Sequence, residues 1–160
     1  MHSDLAPSAQ IVQKKLAHYE LPCKVIELAD ACRTAQQAAD ALGCSVSQIA
    51  KSLIFKTKEA EEAVLLLVSG SNRVNEKTIE QILGKQIIKA DANFVRHITG
   101  FAIGGIPPLG HATQIPFIFI DQDLLAFDTI WAAAGTPHTV FNIASKELVK
   151  ITEGRVISVL

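Results

Sequence analysis

A chain of 160 residues suits a single domain with a core of its own. Its formal net charge of -1 excludes the broad basic field of a general nucleic-acid binder, though not a protein that grips the end of one RNA. The hydrophobic fraction is 49%, yet no stretch nears the ~20 uninterrupted apolar residues of a membrane span, and Met1 to Pro7 lacks the basic start and apolar run of a signal peptide. A cytoplasmic protein with no DNA or membrane partner is expected.

In chain order, Ser8 is a good N-cap for a first helix, with Ile11, Val12, Leu16 and Tyr19 on one face and Leu21-Pro22 as its stop. Lys24 to Leu28 alternates like a strand. Thr34 and Gln37 form a capping box for a second helix that Gly43 ends. Ser45 or Ser47 opens a short helical turn closing at Ala50. Lys51 to Thr57 is a strand, Glu59 to Glu62 a charged turn, and Ala63 to Ser69 an apolar run suited to a central strand; together they predict a hairpin. Asn75 caps a third helix, Glu76 to Leu83, before Gly84. Asp91 or Asn93 starts a short helix through His97. Ile115 to Ile120 is a second buried strand. Thr129 to Ala134 and Thr139 to Ile143 are strands around the turn Gly135-Thr136-Pro137-His138. Ser145, Leu148 and Ile151 mark a helix ended by Gly154, and Val156 to Val159 is a last strand. Helices and strands mix without strict alternation, which predicts an α+β fold: one domain over residues 1–160, a mixed β-sheet surrounded by helices.

The stretch Thr99 to His111 stands apart. It holds Gly100, Gly104, Gly105, Gly110, Pro107 and Pro108, so it cannot be a helix, yet Phe101, Ile103, Ile106 and Leu109 are too apolar for a solvated linker. From composition alone the plain reading, a buried crossover that needs tight turns, comes first. The alternative is a stiff loop whose uncovered N–H groups receive an oxyanion, a carbonyl or a phosphate. Lys51 is either an ordinary edge lysine or a cation at a cleft. Thr34 is a cap that also places a hydroxyl and free N–H groups at a helix mouth. His138 and His111 sit in or beside rigid turns, as surface residues or proton carriers. His2, His18 and His97 receive no role. Cys23, Cys32 and Cys44 make no close pair, so neither a disulfide framework nor a zinc site is expected. There is no nucleophile elbow, P-loop, zincin helix or dinucleotide fingerprint.

The segments Ile49-Ala50-Lys51-Ser52-Leu53-Ile54-Phe55 and Thr99 to His111, together with the element order from Ser8 to Leu160, resemble the YbaK and prolyl-tRNA-synthetase-associated domain family. The resemblance implies an aminoacyl-tRNA deacylase that edits in trans, typically on tRNA for proline, freeing cysteine, alanine or another small amino acid. Its partner is the 3′ end of aminoacyl-tRNA, with prolyl-tRNA synthetase a further candidate. Carried over residue by residue, Lys51 matches the essential lysine, and Gly104, Gly105, Ile106, Pro107 and Pro108 match the GxxxP loop; Lys51, Gly104, Gly105 and Ile106 are the catalytic candidates. Thr34, Pro107, Pro108, Gly135 and His138 fall where the family lines its substrate pocket. The turn Gly135 to His138 departs from the Gly-Gly-Lys-Arg-Gly type of YbaK itself. An aminoacyl ester is labile enough that orientation and backbone donors suffice, with no metal or other cofactor. The competing reading is a binding module for an amino acid or a nucleotide end that performs no hydrolysis.

Overall fold

The computed structural model describes residues 5–160, so the readings of Met1 to Asp4, His2 among them, lie outside the described residues. Eight strands form one mixed sheet among the described residues. The hairpin predicted from the two apolar runs is its spine. Strand β2 (Ile49–Thr57) pairs antiparallel with β3 (Ala63–Ser69), and all seven residues of β3 are buried. Such a strand needs cover on both faces. The parallel partner on its other side is β5 (Phe117–Asp121), and β5 in turn holds the short edge strand β8 (Arg155–Ile157). Beyond β2 lie β6 (Thr129–Ala133) and β7 (Thr139–Ala144), the predicted pair around the Gly135 turn, and then β1 (Ile26–Glu27).

Local chemistry sets the helices. In α2 (Ala35–Leu42) the Thr34 hydroxyl accepts from Gln37 N–H, the Gln37 side chain answers to the Thr34 N–H, and Gly43 turns left-handed to stop it. Asn75 caps α3 (Glu76–Leu83), and of the two caps considered for α4 (Ala92–Thr99) it is Asp91 that accepts from Phe94 N–H.

Several expectations are corrected. Ala6, not Ser8, caps α1 (Pro7–His18), because Pro7 supplies a preset first turn. The buried face of α1 is Ala9, Val12 and Leu16, whereas Ile11 and Tyr19 are exposed. Helix α4 runs to Thr99, whose hydroxyl donates back to Val95 O. Glu153, not Gly154, makes the left-handed turn that ends α5 (Ser145–Thr152). Between Ser45 and β2 is a 3₁₀ turn, Val46–Gln48, capped by Ser45, so β2 begins two residues earlier than expected. Strand β4 (Ile87–Lys89) and the 3₁₀ turn Gln122–Ala126 were not expected at all.

One irregularity of the sheet positions everything that follows. Strand β6 pairs with β2 only at Ile49 and Ala50, and β4 pairs with it only from Phe55 to Thr57. Between them the β2 edge has no strand beside it. Residues alternate along an antiparallel ladder, and Ile49 and Thr57 point their main-chain groups toward β3. Ser52, by that alternation, turns its N–H and C=O to the gap.

Candidate functional site

A cavity of about 700 Å³ opens at this gap. Its walls are the start of β2, the end of β6 with Trp131, the amino end of α2 with Thr34, and the loop residues Ile103, Gly104 and Ile106. The size falls within the range of small-molecule sites, and the lining is mostly apolar with a few polar groups, as such sites require. Of the residues singled out from sequence, Thr34, Lys51, Gly104 and Ile106 meet here. Gly105, Pro107, Pro108, Gly135 and His138 do not line the cavity.

Lys51 is half-buried, and its Nζ donates to the Asn72 carbonyl at 2.7 Å. Burial, and next the Arg73 charge, pull its pKa below the ordinary lysine value, while the Asp121 carboxylate acts the other way. Two other parts of the chain thus act on Lys51 with opposite charges, the Arg73 cation more strongly than the Asp121 carboxylate. Ser52, next along, has a buried hydroxyl that finds no hydrogen-bond partner among the described residues. A buried polar atom left unpaired is costly, and one lining a cavity is available to whatever fills that cavity.

The glycine loop is built on an internal turn. Gly105 N–H donates to Ala102 O at 3.2 Å, so this amide is already committed. A Cβ on Gly105 would stand 2.7 Å from both the N and the Cα of Thr136, which is backbone and cannot step aside. Gly105 O also accepts from Gly135 N–H at 2.9 Å. Gly105 and Gly135 therefore seat the loop against the β6–β7 turn, a close approach rather than a donor site. Gly104 differs: its φ is +103°, a backbone open to glycine, and the nearest atom to an added Cβ is Pro137 Cγ at 3.9 Å. The N–H groups of Gly104 and Ile106 have no main-chain or side-chain acceptor among the described residues.

Behind the loop, His111 Nε2 bonds the Pro107 carbonyl at 2.7 Å, and burial lowers the imidazole pKa below its ordinary value. Neutral His111 therefore donates to Pro107 and braces the two prolines, which are themselves buried. His138 is exposed; its main-chain N–H donates to the Thr136 hydroxyl. The three described cysteines are free, and burial raises each thiol pKa. Among the described residues no three His, Cys, Asp or Glu side chains converge as metal ligands would, and no helix is long and apolar enough to cross a membrane.

Sequence reasoning passed over Ser52 and Trp131, while of the turn it placed at the pocket, Gly135 to His138, it is Thr136 and Pro137 that line the cavity. Ser52 offered one signal, a small polar residue in the middle of an apolar strand beside Lys51.

The aminoacyl-tRNA editing domain family matches residues 29–151. The Bacillus subtilis protein YwhH is 32% identical over 132 residues, 82% of this chain and 83% of that protein. A proline–tRNA ligase of Thermoanaerobacter sp. is 30% identical over 95 residues, which are 58% of this chain but 16% of the ligase. A crystal structure of a candidate trans-editing enzyme for prolyl tRNA synthetase superposes with a TM-score of 0.90 at 42% identity, covering 97% of this chain and 98% of that one.

Proposed function

The chain belongs to the aminoacyl-tRNA editing domain family, and on that footing we propose that it is a deacylase acting in trans on a mischarged tRNA. The substrate in this reading is tRNA for proline carrying a small amino acid such as alanine or cysteine, bound by its 3′ end. Residues 1–160 act as one editing domain in the cytoplasm, with prolyl-tRNA synthetase a candidate partner. The likeness to a segment of a proline–tRNA ligase supports that choice of tRNA.

The observation that carries the proposal is the convergence of Lys51, Thr34, Gly104 and Ile106 on one largely apolar cavity. Ester hydrolysis needs donors aimed at the carbonyl oxygen, a cation near the developing charge and a placed water. Gly104 and Ile106 supply the N–H donors. Lys51, at the gap in β2, supplies the cation, for the carbonyl region or the terminal phosphate. The amino end of α2 beside Thr34 adds N–H groups and a positive dipole for phosphate. Water adds to the carbonyl carbon and the oxygen takes up the negative charge. Collapse expels the ribose oxygen, which takes up the proton that the attacking water gives up, and releases the free amino acid. The substrate's neighbouring ribose hydroxyl is placed to help hold the water. The apolar wall of Ala38, Val46, Ile49 and Trp131 suits a small uncharged side chain. No metal takes part.

A deacylation panel tests this: tRNA for proline charged in turn with alanine, cysteine, proline and other small amino acids. Release of alanine or cysteine faster than proline is expected. Binding of every charged tRNA with no release from any would make the protein a binding module.

A further inference from the structure

Asp121 ends β5 at 1% exposure, and no lysine, arginine or histidine forms an ion pair with it among the described residues. It is compensated by N–H donors instead: Ser69 N at 3.0 Å and Asn72 Nδ2 at 2.8 Å on one oxygen, and Asp123 N at 3.0 Å on the other. Asn72 Nδ2 reaches the Asp123 carboxylate as well, at 2.7 Å. A buried carboxylate is an expensive way to stabilise a fold, since an apolar residue of similar size commonly does as well. Its retention calls for another use, and the register shows where it acts. Lys51 lies opposite Val68 on β3, and Leu67 lies opposite Ile120 on β5. Lys51, Val68 and Asp121 therefore form one row across three adjacent strands, with their side chains on the same face. Asn72, in the turn after β3, closes the span: its side chain is held by Asp121 and Asp123, and its carbonyl receives the Lys51 ammonium.

We propose that Asp121 and Asn72 are positioning residues for Lys51: the carboxylate fixes the Asn72 turn, and the fixed carbonyl aims the ammonium at the cavity. This rests on the deacylase reading for its consequence in rate, but not for its geometry. Lys51 has three rotatable donors on a flexible stem, and an unheld ammonium spends much of its time out of register with a reacting carbonyl. Arg73 on the same turn repels it, so the carbonyl and the Asp121 charge work against that repulsion.

The test uses the full chain with Asn72→Ala, Asn72→Asp and Asp121→Asn. Two quantities are measured: the NMR signals of the Lys51 side chain without substrate, and single-turnover hydrolysis of aminoacyl-tRNA. In Asn72→Ala the main-chain carbonyl remains but its tether is gone. Its Lys51 signal should shift and sharpen toward that of a free lysine. Its maximal single-turnover rate should fall roughly tenfold to a hundredfold, with the half-saturating concentration within about twofold. Asn72→Asp, which sets a third carboxylate against Asp121 and Asp123, should be worse than Asn72→Ala; a merely space-filling Asn72 predicts the reverse order. If Asp121→Asn does not fold, Asn72→Ala carries the test alone. An unmoved Lys51 signal in folded Asn72→Ala overturns the proposal. A moved signal with full activity, matched by full activity of Lys51→Ala, would instead refute the role of Lys51 and leave the brace standing.

Discussion

Two adjacent glycines in the loop are required for different reasons, and alanine at each should separate them. At Gly104 the cavity side is open, since an added Cβ meets only Pro137 Cγ at 3.9 Å, but φ is +103°. Holding alanine there costs about 1–3 kcal/mol of strain. The chain escapes part of that strain by rotating the peptide that carries the proposed donor. Losing one such donor costs on the order of 3 kcal/mol in rate, or roughly a hundredfold. At Gly105 the φ is unremarkable, but the Cβ would sit 2.7 Å from Thr136 backbone. The loop must lift off the β6–β7 turn, at ~1–3 kcal/mol for overpacking. It also strains the hydrogen bond to Gly135, worth about 1 kcal/mol. For a chain of this size each kcal/mol lowers Tm by ~2–4 °C. Gly105→Ala should therefore melt roughly 4–16 °C below wild type, the larger stability loss of the two. Gly104→Ala should show the larger loss of single-turnover rate per degree of melting. Thermal melts and single-turnover deacylation on both variants decide it. A folded Gly104→Ala with wild-type turnover would refute the donor role of the loop. A Gly105→Ala with an unchanged Tm would refute the close approach.

Three further outcomes are expected. Ser52→Ala removes a buried hydroxyl without a partner and should raise stability by about 1 kcal/mol, read as a Tm increase of the free protein; a lower Tm would mean the hydroxyl is satisfied. His111 binds its proton more weakly in the fold than in the unfolded chain. Below the ordinary histidine pKa of about 6.5 the unfolded state therefore takes up more protons, and stability must fall as pH falls through that range, by at most ~1.4 kcal/mol per pH unit. Urea unfolding at acidic and neutral pH should show a smaller pH dependence in His111→Gln than in wild type, and equal dependences would contradict the assignment. Deacylation should survive exhaustive chelation, and a rate lost to chelator and restored by zinc would overturn the metal-independent mechanism.

Much of the fold was legible where a residue acts on its own neighbours. The Thr34–Gln37 box and the left-handed Gly43 and Gly84 are local hydrogen-bond and backbone chemistry, and a sequence carries that directly. The seven apolar residues of β3 announce burial on both faces. What depends on distant pairing was not legible. Strand β4 is three residues long and exists because the far end of β2 offers an edge to it. Ile11 fits the apolar face of α1 by spacing, but only the arc of Ala9, Val12 and Leu16 is buried in the core. In the site, the family resemblance picked out Lys51 and the loop; composition alone left both open. Gly104 and Gly105 look identical in a sequence, and only the nearness of the Gly135–Thr136 backbone separates a special φ from a close approach. Asn72 and Asp121 are 49 positions apart and carried no motif.

The most direct test of the account is single-turnover hydrolysis of alanyl- or cysteinyl-tRNA for proline by wild type and Lys51→Ala, each checked by thermal melt. The account predicts rapid release of the amino acid by wild type. It predicts a Lys51→Ala protein that melts within a few degrees of wild type and releases no more than the uncatalysed background. A folded Lys51→Ala as active as wild type, or a wild type that binds these tRNAs and hydrolyses none, would contradict it.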